Sequence, residues 1–524
     1  MKKDLYIITG IAILSVLLFN ACRSSDTDNN ITNGIASVNI NLLGTEFSNS
    51  SPALNASLNK NKNYISEIQT YSILVNPSTI ITAELAPSSD PVNTLAKISD
   101  KKLIAAIPGN NLGTGIKFRV IAYRQSNGNY HTHQDYTVGQ PATPMMLDNG
   151  GTYNIVVYSY GTASLPAISS GEQNNISSAS VNYDDTNRDF MYQKINYTPV
   201  NDNNTLNITL RHKVAQITTI IKNSTTQWTG NNIISVTNAI ISPHYNNGIF
   251  SLNTGSMSGR TTSTNAVITF PTPSGGSIIA TPVFINNDTN GNLAGTFSAK
   301  VSLSSRSVEN ILAKEAFKIV PETKSNLSIN LRTCGAFLGP GNTQWKDFMC
   351  HNLGADQSAD PFTPSAAIHG AKYQWGRSTA AVTQAQDQNN NGVITGWDML
   401  PAPDDAWSDT SKTINDPCPT GYRVPTQAQW QAIFDNNPVS YIGNWSNSTD
   451  NYSSGVKIGN NLFLPASGIR PNNTNISVVR GSDGYYWSTG IFNNMSISTR
   501  FSNGKMIAPA NIRTDGEAIR CIAE

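Results

Sequence analysis

Charge is what this sequence has least of. Asp, Glu, Lys and Arg make up 13% of its 524 residues, about half the usual ~25%, and 35 basic against 34 acidic side chains leave a net charge of +1. No run of five basic residues occurs, so the clustered Lys and Arg that neutralise a phosphate backbone are missing, and nucleic acid is not an expected partner. Long apolar runs are lacking too. The stretch from Leu5 to Phe19 has 15 residues, whereas crossing a bilayer takes about 20. Cysteine is absent between Cys22 and Cys334, and no pair has the CxxC spacing of a zinc or redox site. No GxSxG elbow positions a nucleophilic serine. Disorder is excluded as well, because 38% apolar content supplies a core for each of about three or four domains. Asn, Ser and Thr take the place of charge, a composition that reads as extracellular and β-rich.

Lys2 and Lys3 followed by the short apolar stretch predict a signal peptide over 1–21. Ala21 before the lone Cys22 resembles the lipobox of bacterial lipoproteins. That resemblance implies acylation of Cys22 and a lipid anchor in the outer membrane, where each buried methylene contributes ~0.8 kcal/mol. Phe19 stands where the lipobox has Leu, which leaves ordinary secretion open. The residues from Arg23 to Asp28, at the head of a linker over 22–34, are similar to the surface-export signal of Bacteroidetes lipoproteins. With Cys22 lipidated, Cys334, Cys350, Cys418 and Cys521 remain. An even number in an exported chain implies disulfides, with three connectivities open. Pairing Cys334 with Cys350 would close a compact loop.

Two β units precede these cysteines. In the first, over 35–168, Val38, Ile40 and Leu42 alternate, as do Ile116, Phe118, Val120 and Ala122, and Tyr153, Ile155 and Val157. Asn127-Gly128 marks a hairpin turn because both residues tolerate positive φ. A Ser- and Asn-rich linker over 169–180 separates it from a second unit over 181–332, where Asn290-Gly291 predicts a hairpin between 282–286 and 296–303. Both units read as antiparallel β-sandwiches. The pair behind a lipobox, with the run from Leu210 to Ile217, resembles the fimbrillin-like family of Bacteroidetes.

Composition shifts at 333–524, which holds seven of the eight Trp. The segments from Trp345 to Gly354, Tyr373 to Gly376, Pro417 to Trp430, Leu464 to Gly468, Gly484 to Ser488 and Ile519 to Cys521 match, in order and rough spacing, the Fibrobacter succinogenes major paralogous domain. The resemblance implies an α+β, C-type-lectin-like fold, and a last strand stapled to the body by a Cys418–Cys521 disulfide. Independently of the family, Thr426 and Gln429 form a capping box, so a helix should start after Thr426 with Trp430, Ile433 and Phe434 on its buried face. Tyr422 and Val424 read as core.

The chemistry-bearing candidates are few. The formylglycine-generating relatives of this fold use a reactive cysteine pair near the C-terminus, and the iron-dependent relatives use three His; here Cys521 stands alone and the domain holds only His351 and His369. No enzymatic activity is expected. His131 and His133 share a strand face as a metal pair would, without a third ligand. The run from Asp387 to Asp398 matches an EF-hand loop, with Asp387, Asn389, Asn391, the carbonyl of Val393 and Asp398 as calcium ligands. Asp in place of Glu at the last position, and only two carboxylates, predict weak affinity of ~10⁻⁴ to 10⁻³ M. On the loops after Gly468 and Trp487, Asn472, Asn473, Arg480, Asp483, Tyr485, Asn493 and Arg500 combine amide, charged and aromatic groups suited to a sugar. The expectation is a surface-exposed lipoprotein adhesin whose lectin-like domain binds an extracellular glycan or protein ligand. The alternative is a structural or tip subunit of a fimbria assembled by strand donation, with other fimbrial subunits as partners. Replacing Cys22 with Ala should release the protein from membrane fractions; a variant still membrane-bound after export would show that Cys22 is not the anchor.

Overall fold

A computed structural model describes residues 34–48, 67–88, 112–200, 204–223, 232–304 and 306–524. The signal peptide, Cys22 and the linker up to residue 33 lie outside the described residues. The architecture is mostly β. A seven-stranded sheet runs in the spatial order Tyr130–Thr137, Lys117–Arg124, Tyr153–Ser159, Met191–Tyr197, Asn204–His212, Ile35–Glu46 and Met145–Asp148. Its central strands are buried on both faces, hence their continuous apolar runs. Val120, Ala122, Ile155 and Val157 face one core. Ile121, Tyr123, Val156 and Tyr158 face the other, which is covered by a small sheet of Ser180–Asn182, Ile249–Ser251 and Met257–Ser258.

A second sheet runs Ser277–Ile279, Ala215–Asn223, Lys324–Thr333, Thr79–Pro87, Gln69–Asn76. It packs on a third sheet, Ser263–Val267, Ile233–Tyr245, Gly295–Leu303, Arg306–Phe317. Alternation decides the facing: Leu327, Ile329 and Leu331 from one sheet, and Phe297, Ala299 and Val301 from the other, meet in one core. Full burial of a Leu, Ile, Val or Phe side chain contributes ~1.5–3 kcal/mol.

The sequence reading of two successive antiparallel sandwiches needs three corrections. First, strands cross between the units: the hairpin of Gln69–Asn76 and Thr79–Pro87 lies in the second sheet beside Lys324–Thr333, while Met191–Tyr197 and Asn204–His212 complete the first. Only Lys213 and Val214 separate the strand Asn204–His212 from Ala215–Asn223 in the other sheet, so no boundary at 168 or 181 divides the sheets. Two of the contacts are parallel, Ile35–Glu46 with Asn204–His212 and Ala215–Asn223 with Lys324–Thr333. Second, Asn290 and Gly291 do adopt positive φ (51° and 81°), but Val283–Ile285 pairs with Ala215–Asn223 and Gly295–Leu303 with the third sheet, so they turn the chain between sheets. Third, the expected linker 169–180 is packed: Ile176 and Ala179 are buried, and Arg119 donates to the Pro166 carbonyl and the Glu172 carboxylate.

From Cys334 the chain builds a module of small sheets and two short helices, α1 (Gln384–Asn389) and α2 (Gln427–Asp435). Thr426 and Gln429 form the expected box, and Trp430 and Ile433 are buried. Thr383 and Gln386 cap α1 in the same way. Disulfides join Cys334 to Cys350 and Cys418 to Cys521, the expected pairs. The module is tied to the second sheet at the Pro77-Ser78 turn. The Cys334 and Cys350 N–H groups donate to the carbonyls of Ser78 and Pro77 (both 2.7 Å), and the Tyr422 hydroxyl bonds that of Ser78 (2.9 Å).

Strand exchange predicts that a fragment of 35–175, which lacks both Met191–Tyr197 and Asn204–His212, does not fold, whereas 34–333 does. Urea titration with amide proton dispersion tests this; a cooperative transition in the short fragment would refute it.

Candidate functional site

The C-terminal module is organised around charges inside it. Asp387 on α1 is 2% exposed. Its carboxylate accepts from Arg470 Nε (2.5 Å) and Arg480 Nη2 (2.8 Å), and both arginines are buried. Burial alone would push the Asp387 carboxyl up, but Lys372, Arg480 and Arg470 outweigh it and hold the pKa below the usual range. Arg470 also donates to the carbonyls of Gly392 (2.9 Å) and Asn475 (2.7 Å). Arg480 donates to the Asn391 amide oxygen (3.2 Å), the Thr449 carbonyl (2.5 Å), and the hydroxyls of Tyr452 (3.0 Å) and Ser477 (3.1 Å). Two guanidiniums thereby pin three loops. Removing one partner of such a buried pair costs about 3–5 kcal/mol, because the other charge is left uncompensated.

The residues of the expected calcium loop have other partners in this geometry. Asp387 already has two cations on its carboxylate, and the Asn391 side chain accepts from Arg480. Asn389 is exposed at the end of α1, the Val393 carbonyl accepts from Asn390 (3.3 Å), and Asp398 pairs with Arg377 (2.7 Å). Capping by Thr383 starts a helix that takes in the first three residues of the motif, which leaves Asp387 buried and Asn389 exposed.

The expected ligand residues divide similarly. Arg480 is 1% exposed and Asp483 is 5% exposed, so Arg480 is a framework group, not a contact residue. Asp483, Tyr485 and Arg500 are together: Arg500 donates to the Asp483 carboxylate (2.7 Å) and lies over the Tyr485 ring at 5.3 Å. Asn472 is half-buried with its N–H on Asp515 (2.6 Å), and Asn473 is exposed. Asn493 sits at the tip of the Asp483–Phe492 and Met495–Ser502 hairpin, the opposite end from Asp483 and Arg500. His131 and His133 are also apart, the first against Tyr153 and the second bonded to Tyr130; among the described residues no group of three potential metal ligands occurs.

Sequence reasoning missed a loop layer. Ile394 and Asn475 exchange two hydrogen bonds (2.6 and 3.0 Å), the Ser477 N–H donates to the Asn391 carbonyl (3.1 Å), and the Trp397 indole N–H donates to the Thr514 carbonyl (2.9 Å). These bonds join 391–400, 471–477 and 512–516 into one surface that exposes Val393, Met399, Leu400, Ile476 and Ile512. Beneath it lie titratable groups out of reach of solvent. Burial lowers Lys372 to about 8, and its ammonium donates to Ser467 and Gly468 carbonyls (2.6 and 2.8 Å). Burial likewise lowers His369 to about 3. A Trp inside an Asn- and Gly-rich loop was the available signal, since an aromatic there must either pack or stay exposed.

No protein-family model and no curated sequence matches the chain. Solved structures give loose matches. A "putative cell adhesion protein" from Bacteroides uniformis overlaps 42% of this chain and 92% of its own, with 12% identity and a TM-score of 0.31. One of the same description from Bacteroides fragilis overlaps 59% and 97%, with 11% identity and a TM-score of 0.29. A member of the "putative polysaccharide binding proteins" from Bacteroides thetaiotaomicron overlaps 41% and 82%, with 10% identity and a TM-score of 0.24. At these TM-scores the likeness carries no argument about function.

Glu517 supplies a pH test of the buried layer. Burial pushes its carboxyl up to about 8, against hydrogen bonds from Ser498 and Asn511. The folded state therefore keeps this proton over a range, from about 4.5 to about 8, in which the unfolded chain releases it. Its contribution is present below that window and is lost as pH rises through it. Against wild type, Glu517→Gln should gain stability from pH 5 to pH 8 by an amount of the order of a few kcal/mol. Urea midpoints at the two pH values measure this; a constant difference would refute it.

Proposed function

We propose that the chain is a lipid-anchored, cell-surface adhesin whose strand-exchanged β body presents a C-terminal lectin-like module to an extracellular glycan. The observation that carries this reading is the loop layer of 391–400, 471–477 and 512–516, held from beneath by Arg470 and Arg480. Loops already ordered by buried hydrogen bonds lose little conformational freedom on meeting a ligand, so more of the contact energy appears as affinity. The strongly shifted groups, Lys372, His369 and Glu517, lie within the module and serve as its frame, which favours binding over acid–base chemistry. The Asp483, Tyr485 and Arg500 cluster adds a carboxylate, an aromatic ring and a half-exposed guanidinium, groups that hydrogen-bond and stack on a pyranose.

The strand-donating alternative fares worse. A donor strand must be free to leave its own domain, whereas Ile522–Ala523 pairs with Tyr422–Arg423 and the adjacent Cys521 is bonded to Cys418.

A glycan array with the full chain should identify a ligand. Replacing both Tyr485 and Arg500 with Ala should then weaken binding at least about tenfold in a variant that still shows a cooperative melt, at a melting temperature lowered because the buried Asp483 loses its cation. Undiminished binding by that variant would remove the cluster from the site.

A further inference from the structure

A second concave site lies far from these loops in sequence, on the seven-stranded sheet. A cavity of about 540 Å³ opens between Tyr158 and Tyr160 on one side and the segments 166–172 and 180–185 on the other, a size within the ~300–1,000 Å³ of ligand sites. Its walls are built and rigid. Arg119, 1% exposed, fixes the 166–172 segment through the Pro166 carbonyl (2.8 Å) and Glu172 (3.0 Å). Ser169 closes the turn by donating its N–H and hydroxyl to the same carboxylate (2.7 and 2.8 Å).

The carboxylates at this cavity are unequally paired. Arg119 is shared between Glu172 and Asp135. Asp185 pairs with Arg188 (2.9 Å) and accepts from His244 Nε2 (2.7 Å). His244 is neutral, because its Nδ1 accepts the Asn286 N–H (3.0 Å). Asp184 accepts only from the Thr186 N–H (2.9 Å) and the Asn187 amide (2.7 Å). Arg119 and Arg188 thus hold Glu172 and Asp185, and Arg260 acts on Tyr183 while donating to Asn286, so Asp184 is the cavity carboxylate with no cation in contact among the described residues. Burial pushes the Tyr160 hydroxyl up, and Glu172 and Asp184 push it further against the opposing charge of Arg119. Tyr183, which also lines the cavity, is 7% exposed, and its hydroxyl has no hydrogen-bond partner among the described residues. An unpartnered buried hydroxyl is costly unless something fills the site.

We propose that this cavity receives a cationic side chain, the guanidinium of arginine or the ammonium of lysine, offered by a segment of a partner protein. Aromatic walls attract a cation through their ring faces, and Asp184 supplies the unpaired counter-charge. Pro166, Ala167 and Val181 give an apolar wall for the methylene stem, which snorkelling side chains bury; an amino sugar has no such stem. The assignment is independent of the glycan reading of the C-terminal module.

The test is calorimetric titration of the full chain with Nα-acetyl-arginine amide and Nα-acetyl-lysine amide, beside the uncharged Nα-acetyl-norleucine amide and glucosamine. A cationic amide should bind at least about tenfold more tightly than norleucine amide, Asp184→Asn should remove most of that difference, and hydrogen exchange should slow in 166–172 and 180–185. Exchange on the wild-type chain decides the question if Asp184→Asn does not fold. Equal binding of norleucine amide, undiminished binding by Asp184→Asn, protection elsewhere, no binding of either cationic amide at roughly 10 mM, or binding of glucosamine alone would each overturn the proposal.

Discussion

The C-terminal module depends on one buried carboxylate. Asp387 lies between Arg470 and Arg480, and those two side chains carry the hydrogen bonds that set the 387–392, 449–452 and 475–477 loops. Desolvating three ionised groups is expensive, and an apolar replacement of the whole triad would often be as stable. What apolar side chains cannot do is satisfy the carbonyls of Gly392, Asn475 and Thr449 where no helix or strand supplies a donor. A guanidinium has five donors in a fixed plane, so two of them can satisfy irregular backbone that a hydrophobic core would leave unpaired. Arg520 repeats the device, with bonds to Asn352, Met349 and Phe463. The low overall charge of the chain is therefore not spread evenly: several of its arginines serve the inside of this module.

Much of the local structure was legible in the sequence, because its determinants lie within a few residues. A capping box spans three positions, and Thr426 and Gln429 formed one. Alternation of Leu206, Ile208 and Leu210 needs only a period of two to orient a strand. Partner choice is another matter. An alternating strand fits any sheet that offers an apolar face, so nothing local marks Gln69–Asn76 and Thr79–Pro87 for the second sheet, or Met191–Tyr197 for the first. Asn290-Gly291 shows the same limit, since positive φ specifies a turn but not the pairing of what flanks it. The site residues were hardest. Arg480 and Asp387 look like surface groups because charged residues usually are, and only the distant approach of Arg470, Arg480 and Asp387 makes an interior position tolerable.

Strand exchange also governs how the parts are joined. The first sheet is complete only when His212 is in place, and the second only with Thr333, so pairings such as Val38 with Asn204 and Thr79 with Thr333 must form across long stretches of chain before the cores close. Such non-local pairing is intrinsically slow. The Cys418–Cys521 bond acts in the same direction at the far end: its residues are 103 apart, and closing a loop of that length restricts the unfolded chain by up to about 4.7 kcal/mol.

The Pro77-Ser78 turn links these two regimes. It belongs to a hairpin from the first hundred residues, sits at the end of the second sheet, and accepts the N–H groups of Cys334 and Cys350. Thr333, the last residue of the strand beside it, is followed directly by Cys334. The module is thus attached twice, by the continuing chain and by a turn contributed from the other end of the sequence, and Ile80 packs with the Cys334–Cys350 disulfide at that point. A single covalent linker would leave the loop layer free to swing. Two attachments around a buried disulfide set its direction relative to the second sheet, so any pull on the β body reaches the loop layer through paired strands and not through a flexible joint.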